Sequence, residues 1–162
     1  MSNRVLAFIV CLPIAGAIGF AAGRATSPLG TVMRADAPSG GAHLRVDRRF
    51  SMGSPDRRLV IAAGGEEIEL RRLNEQTGDV TEMAWSPDAS LAGVVMHGTT
   101  LIAIDPVGRR MLYELPLLDQ MDGSRVARGL GFSANAMAIT FDDCPRAGAG
   151  CRPRFMALPT RR

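Results

Sequence analysis

Two imidazoles, a tandem aspartate pair and two closely spaced cysteines are the side chains with which this chain could do chemistry. His43 and His97 are its only imidazole bases. His43 borders a Pro- and Gly-rich stretch and His97 stands beside Gly98, so both read as surface residues rather than as a general base held against a nucleophile. Asp142 and Asp143 could hold a cation, yet an acidic pair beside a hairpin reads more simply as solvated. Cys144 and Cys151 flank Pro-Arg-Ala-Gly-Ala-Gly. That spacing suits neither a Cys-x-x-Cys redox pair nor a zinc knuckle, and no neighbouring histidine completes a metal set. In an oxidising compartment the pair instead closes a small loop as a disulfide, contributing about 2 to 3 kcal/mol. There is no Gly-x-Ser-x-Gly elbow, phosphate-cradling glycine loop, dinucleotide fingerprint or His-Glu-x-x-His. The sequence therefore assigns no catalytic residue, no metal ligand and no cofactor, and a protein that is not an enzyme is expected.

Charge narrows the partners. All 19 basic residues are Arg, with doublets at 48-49, 57-58, 71-72, 109-110 and 161-162. Neighbours in a strand point to opposite faces, so a doublet inside a strand makes no one-sided patch. A net charge of +3 is too small to demand a polyanion, and no nucleic-acid partner is expected. With 162 residues, 46% of them apolar, the chain can build one domain with a real core.

The elements that position these side chains are clearest over residues 80–115. Val80-Thr-Glu-Met83-Ala-Trp85 runs into Ser86-Pro87-Asp88 and then Leu91-Ala-Gly-Val94-Val95. After His97-Gly98 come Leu101-Ile-Ala-Ile104-Asp105, Pro106-Val-Gly108 and Met111-Leu-Tyr113-Glu-Leu115. Four strand-length runs separated by turns rich in Gly, Pro and Asp predict an antiparallel meander. Glu67-Ile68-Glu69-Leu70-Arg71 alternates, turning Ile68 and Leu70 to the core and Glu67, Glu69 and Arg71 to water. A further hairpin is expected between Met137-Ala-Ile-Thr-Phe141 and Phe155-Met-Ala-Leu158. Beyond residue 24 no segment sustains a 3.6-residue period, so the domain is mainly β.

Val80, Met83 and Trp85 followed by Ser86-Pro87-Asp88 resemble the first strand and turn of a WD-repeat or TolB-type β-propeller blade. Ile104-Asp105 stands where such blades carry Trp-Asp, and Gly108-Arg109 occupies the following turn. Ala89 replaces the usual turn glycine, and the Gly-His dipeptide is missing. A partial echo is Leu130-Gly-Phe132-Ser133-Ala134-Asn135 before Met137; a weaker one is Ser54-Pro55-Asp56 before Leu59-Val60-Ile61-Ala62. The three Ser-anchored turns begin at 54, 86 and 133, intervals of 32 and 47 residues that bracket the usual period of about 40 to 45. The resemblance implies that Trp85 fills the core rather than stacking on a ligand, and that Trp85, Ser86, Pro87, Asp88 and Asp105 are the repeat-motif residues. A closed propeller needs about four blades of about 40 residues. Residues 43–162 supply 120, so a partial, propeller-like domain is expected, the alternative being a β-sandwich whose turns use Ser-Pro-Asp.

Residues 5–23 carry no charge. As a helix they would span about 28 Å, close to a hydrocarbon core of about 30 Å. Residues 1–24 are thus a transmembrane anchor or a signal peptide with a small-residue site at Ala21-Ala-Gly23. A length beyond the usual apolar region of about 7 to 15 residues favours the anchor. Cys11 follows bulky Val10, unlike a lipoprotein cysteine. Ala15, Gly19 and Gly23 recur every fourth residue and would let a second membrane helix approach closely. Residues 25–42, with Ser27-Pro28-Leu-Gly30 and Ala37-Pro38-Ser39-Gly40-Gly41, read as a flexible linker to a domain at 43–162.

A start-proximal anchor and a disulfide-competent domain predict a single-pass protein of the bacterial inner membrane, with the N-terminus cytoplasmic and the β domain periplasmic. An incomplete propeller exposes strand edges. The expected partners are therefore the lipid bilayer and other membrane protein subunits. The expected function is that of an accessory or scaffold subunit docked on a larger complex, energy-transducing assemblies (respiratory or photosynthetic) being candidates. The alternatives are a secreted TolB-like periplasmic binding protein, and an enzyme or ligand sensor with an unrecognised site.

Overall fold

The computed structural model describes residues 30–51, 54–74, 78–119, 123–147 and 149–159. The apolar segment with Cys11, Ala15, Gly19 and Gly23 lies outside them. Among the described residues, no helix is long and apolar enough to cross a membrane.

Antiparallel strands follow one another in three sheets. The first holds β1 (Gly30–Asp36), β2 (Ala42–Ser51), β3 (Ser54–Ala63) and β4 (Glu66–Leu73). The second holds β5 (Val80–Trp85), β6 (Ala92–Met96), β7 (Thr100–Asp105) and β8 (Arg110–Pro116). The third holds β9 (Arg125–Phe132), β10 (Ala138–Pro145) and β11 (Arg152–Ala157). Strands in each sheet lie in chain order, because short connections permit only antiparallel neighbours.

Burial explains the apolar runs. β6 and β7 are covered on both faces, so their sequences are nearly continuous in apolar residues rather than alternating. Ala92, Val94, Met96, Ile102 and Ile104 pack with Leu44, Val46, Leu59 and Ile61 of the first sheet. Val95 and Leu101 pack instead with Ala127, Ile139 and Phe141 of the third. The second sheet is thus sandwiched between the other two. A β-sandwich would pair two sheets; three local meanders stacked in sequence are a propeller-like, blade-by-blade arrangement.

The first sheet corrects two readings of the sequence. The stretch expected as a flexible linker contains β1, whose Gly30 to Asp36 pairs with Arg48 to His43 of β2. Pro38, Gly40 and Gly41 of that stretch lie in the β1–β2 turn, where Gly40 takes φ +70°, a conformation that costs glycine nothing. The Ser54-Pro55-Asp56 echo is also misplaced: it opens β3, with Ser54 paired to Ser51 across the β2–β3 hairpin.

The true counterpart of the Ser86 turn begins at Ala37. In each sheet the N–H of the first turn residue reaches the carbonyl five residues on: Ala37 to Ala42 (3.0 Å), Ser86 to Leu91 (2.9 Å) and Ser133 to Ala138 (2.9 Å). The fourth residue donates back to the first, Gly40 to Ala37, Ala89 to Ser86 and Ala136 to Ser133. The turns begin at 37, 86 and 133, which makes the intervals 49 and 47 residues. The repeat is nearly regular once the first turn is placed by its backbone.

Candidate docking surface

The repeat-motif residues are engaged by the fold itself. Ser86 is fully buried; its Oγ accepts the Leu91 N–H at 2.9 Å and lies 2.7 Å from Asp88 Oδ1, toward which the hydroxyl donates. Asp88 Oδ1 also accepts the Ser90 N–H at 3.0 Å. The Ser86 hydroxyl, with that backbone donor, holds the Asp88 carboxyl down to about 2. Pro87 sits between them on the exposed side of the turn. The third sheet repeats this geometry with an amide: Ser133 Oγ lies 2.8 Å from Asn135 Oδ1 and accepts the Ala138 N–H at 3.0 Å. Asp105 Oδ1 accepts the N–H groups of Val107 and Gly108 and closes the β7–β8 turn. Trp85 packs against the core between the first two sheets. Its indole N–H donates to the Ala35 carbonyl at 3.0 Å, which ties β5 to β1.

Other sequence candidates also find structural duties. Cys144 and Cys151 form a disulfide that closes the β10–β11 hairpin. Asp142 and Asp143 do not act as a pair, because alternation along β10 separates them. Asp142 is exposed, whereas Asp143 is only 3% exposed. The expectation of two solvated carboxylates is therefore corrected: Arg125 and Arg154 hold Asp143. Arg125, the stronger influence, keeps its carboxyl below the ordinary range. The His43 ring lies 3.4 Å from Arg45 Nη1, and the exposed His97 ring rests on Gly78. Among the described residues, no cluster of three or more His, Cys, Asp and Glu is placed to hold a metal ion.

Each joint between sheets carries a polar tie. Arg71 pairs with Glu114 at 2.7 Å, and Arg109 pairs with Glu66, both linking the first sheet to the second. Glu82 of β5 accepts the N–H groups of Gly129 and Leu130 at 2.9 and 2.8 Å. Those two donors lie where the β9–β10 register shifts, so the carboxylate satisfies backbone that the ladder leaves open.

The two outward faces then remain. On the first sheet, Arg45 Nε donates to Asp47 at 2.9 Å, and its two terminal nitrogens donate to Glu67 at 2.7 and 2.6 Å. Arg58 reaches Asp47 at 3.5 Å and Glu69 at 3.7 Å, while Thr31 donates to Asp47 at 3.1 Å. Val60 and Ala62, which share this face by alternation, are buried at 2% and 8% exposure. Glu67 and Glu69 thus join an ion-pair layer rather than simply meeting water. Ile68, expected in the core, is 39% exposed because it lies on the edge strand β4.

The outward face of the third sheet is different. Gly129, Thr140, Asp142, Pro153 and Phe155 line an open groove across it. Phe155 is 70% exposed and Met137, at the neighbouring strand end, is 58% exposed. Sequence reading missed this surface, although Phe155 and Met137 were in view as strand residues. What hid it is that Phe155 lies on β11, the edge of a sheet with one strand fewer than its neighbours among the described residues, with Met137 at the start of the adjoining β10.

No protein-family model and no curated protein matches the chain. Among solved structures it is similar to the β-propeller domain of Cps50 (Swd1) from Myceliophteria thermophila, at 13% identity and a TM-score of 0.42, covering 72% of this chain and 35% of that one. It is also similar to the WD40 repeats of RRP9, at 11% identity and a TM-score of 0.47, covering 80% of this chain and 39% of that one. The chain therefore spans well under half the length of these structures.

Proposed function

We propose that this protein is a non-catalytic, membrane-anchored accessory subunit whose β domain docks on a larger protein complex of the bacterial inner membrane. The observation that carries this reading is the asymmetry of the sheets: among the described residues two have four strands, and the third has three, with Phe155 of its edge strand β11 and an open groove facing outward. An exposed strand edge beside exposed apolar side chains favours burial by a partner. The uncharged run at residues 5–23 supports anchorage, and the Cys144–Cys151 disulfide supports a periplasmic domain. On this view the domain is a protein-binding scaffold, and an energy-transducing complex, respiratory or photosynthetic, is the class of partner proposed. The turn motif, the ion pairs and the buried carboxylates serve the scaffold rather than a reaction.

The test is to solubilise native membranes in mild detergent and purify the full chain through an affinity tag. A fixed set of membrane subunits in constant ratio to the chain is the expected result. A monodisperse chain with no other membrane protein would overturn the reading.

A further inference from the structure

We infer that β11 is the acceptor edge for a fourth strand supplied by a partner protein, an extended segment with acidic side chains at alternate positions. The inference deepens the docking reading and rests on it.

Backbone parity identifies which groups are on offer. The Leu158 N–H donates to the Met137 carbonyl at 2.8 Å. The same register continues through Met156↔Ile139, Arg154↔Phe141 and Arg152↔Asp143. In an antiparallel ladder, bonded and non-bonded pairs alternate. The backbone groups of Arg152, Arg154 and Met156 therefore point to β10, and those of Pro153, Phe155 and Ala157 point to the open edge. Pro153, which has no N–H, accordingly sits where β10 loses no bond. The edge offers two donors, from Phe155 and Ala157, and three carbonyls, spaced for an extended chain.

The side chains specify the occupant. By alternation Arg152 and Arg154 share one face of β11 and Phe155 lies on the other. Arg154 is 57% exposed even while it touches Asp143 at 3.2 Å. Arg152 is exposed and makes no ion pair among the described residues. A neighbouring strand gains most by setting carboxylates opposite these two, with an apolar residue beside Phe155 over the groove. A second copy of this chain fits less well. Its own β11 would bring arginines toward arginines, and the outward face of its first sheet is already neutralised within itself. The β4 edge, by contrast, carries Glu66, Glu67, Glu69, Arg71 and Arg72, charges that discourage strand addition.

The test places a photo-cross-linking residue in the full chain in its native membrane, as Phe155→p-benzoylphenylalanine, with Glu69→p-benzoylphenylalanine as the control on the opposite face. The expected result is an adduct at 155 and none at 69, mapped by mass spectrometry to a partner segment bearing Asp or Glu at alternate positions. Ala157→Pro, which deletes one outward N–H and none facing β10, should lower adduct yield about tenfold. The Cys144–Cys151 disulfide and the β circular dichroism should stay intact. Arg152→Glu, a surface change, should lower the yield as well. Adducts to this chain itself, adducts to a helix or a basic segment, or full yield in both variants would overturn the inference. If subunits still co-purify while position 155 gives no adduct, the docking reading stands and the strand-addition inference fails. If nothing co-purifies, both fail.

Discussion

The outward face of the first sheet engages Arg45, Asp47, Arg58, Glu67 and Glu69 with one another, whereas that of the third presents Thr140, Asp142 and Phe155 to solvent. Among the described residues, both faces belong to the outer sheets of one stack, and both have a neighbour on only one side. The first solves this by laying a self-neutralised polar layer over Val60 and Ala62, as terminal repeats in stacked proteins do. The third has no equivalent layer among the described residues. The lesson is that one sheet of an array can cover its outward face with charges while another leaves its own open, without any change in repeat architecture.

Mutations at the two ends should separate them. Asp47→Ala strips the buried carboxylate from Arg45, Arg58 and Thr31 together and should cost about 3 kcal/mol, read as a lower urea midpoint. Opening the Cys144–Cys151 loop with Cys151→Ser should cost about 2 to 3 kcal/mol by loop entropy. Its damage should stay in the third sheet, whose amides would exchange faster while those of β2 and β3 do not. Asp143→Asn should cost about 2 kcal/mol at neutral pH, the worth of a charge-assisted bond. Because Arg125 lowers the folded pKa of Asp143, its stabilisation is complete above the ordinary carboxylate value of about 4 and fades as pH falls through the lowered one. The gap between native and variant should therefore close in acid; a gap constant from pH 7 to pH 2 would refute this assignment. Ala89→Gly should stabilise by about 0.5 to 1 kcal/mol, since Ala89 sits at φ 56°, where a Cβ is strained. Phe155→Ala should change stability by less than about 0.5 kcal/mol while weakening the complex, which is the sharpest contrast with Asp47.

How much of this could be read in the sequence depended on where side chains carried the turn. The second sheet was legible strand by strand, because Ser86 and Asp88 build their turn with side-chain oxygens and β6 and β7 are unbroken apolar runs. The third was legible through Phe132-Ser133 and Asn135, an amide replacing the carboxylate. The first turn was not: Ala37-Pro38-Ser39-Gly40 makes the same backbone bonds without a serine at its head or a carboxylate to cap it, so its composition imitated a linker. A glycine 49 residues before Ala89, at the turn position whose φ is positive in all three sheets (Gly40, Ala89 and Ala136), was the available signal. The ion-pair layer was hidden for another reason. Its members lie on β2, β3 and β4, and a register shift between Leu59 and Val60 decides which charges meet. That some strand edge would lie open was expected from the length of the chain, but which edge was hidden, because no local pattern counts strands.

The second sheet's two-sided burial also sets the order in which the molecule comes apart. Ala92, Val94, Ile102 and Ile104 hold one neighbour while Val95 and Leu101 hold the other, so neither end sheet contributes to the other's core. Cooperativity in such a chain passes only between adjacent sheets. Opening should begin at β11, which among the described residues has one unpaired edge and one uncovered face, and reach β6 and β7 last. A strand bound along β11 would act at the weakest link of that sequence and slow the fraying of every sheet behind it.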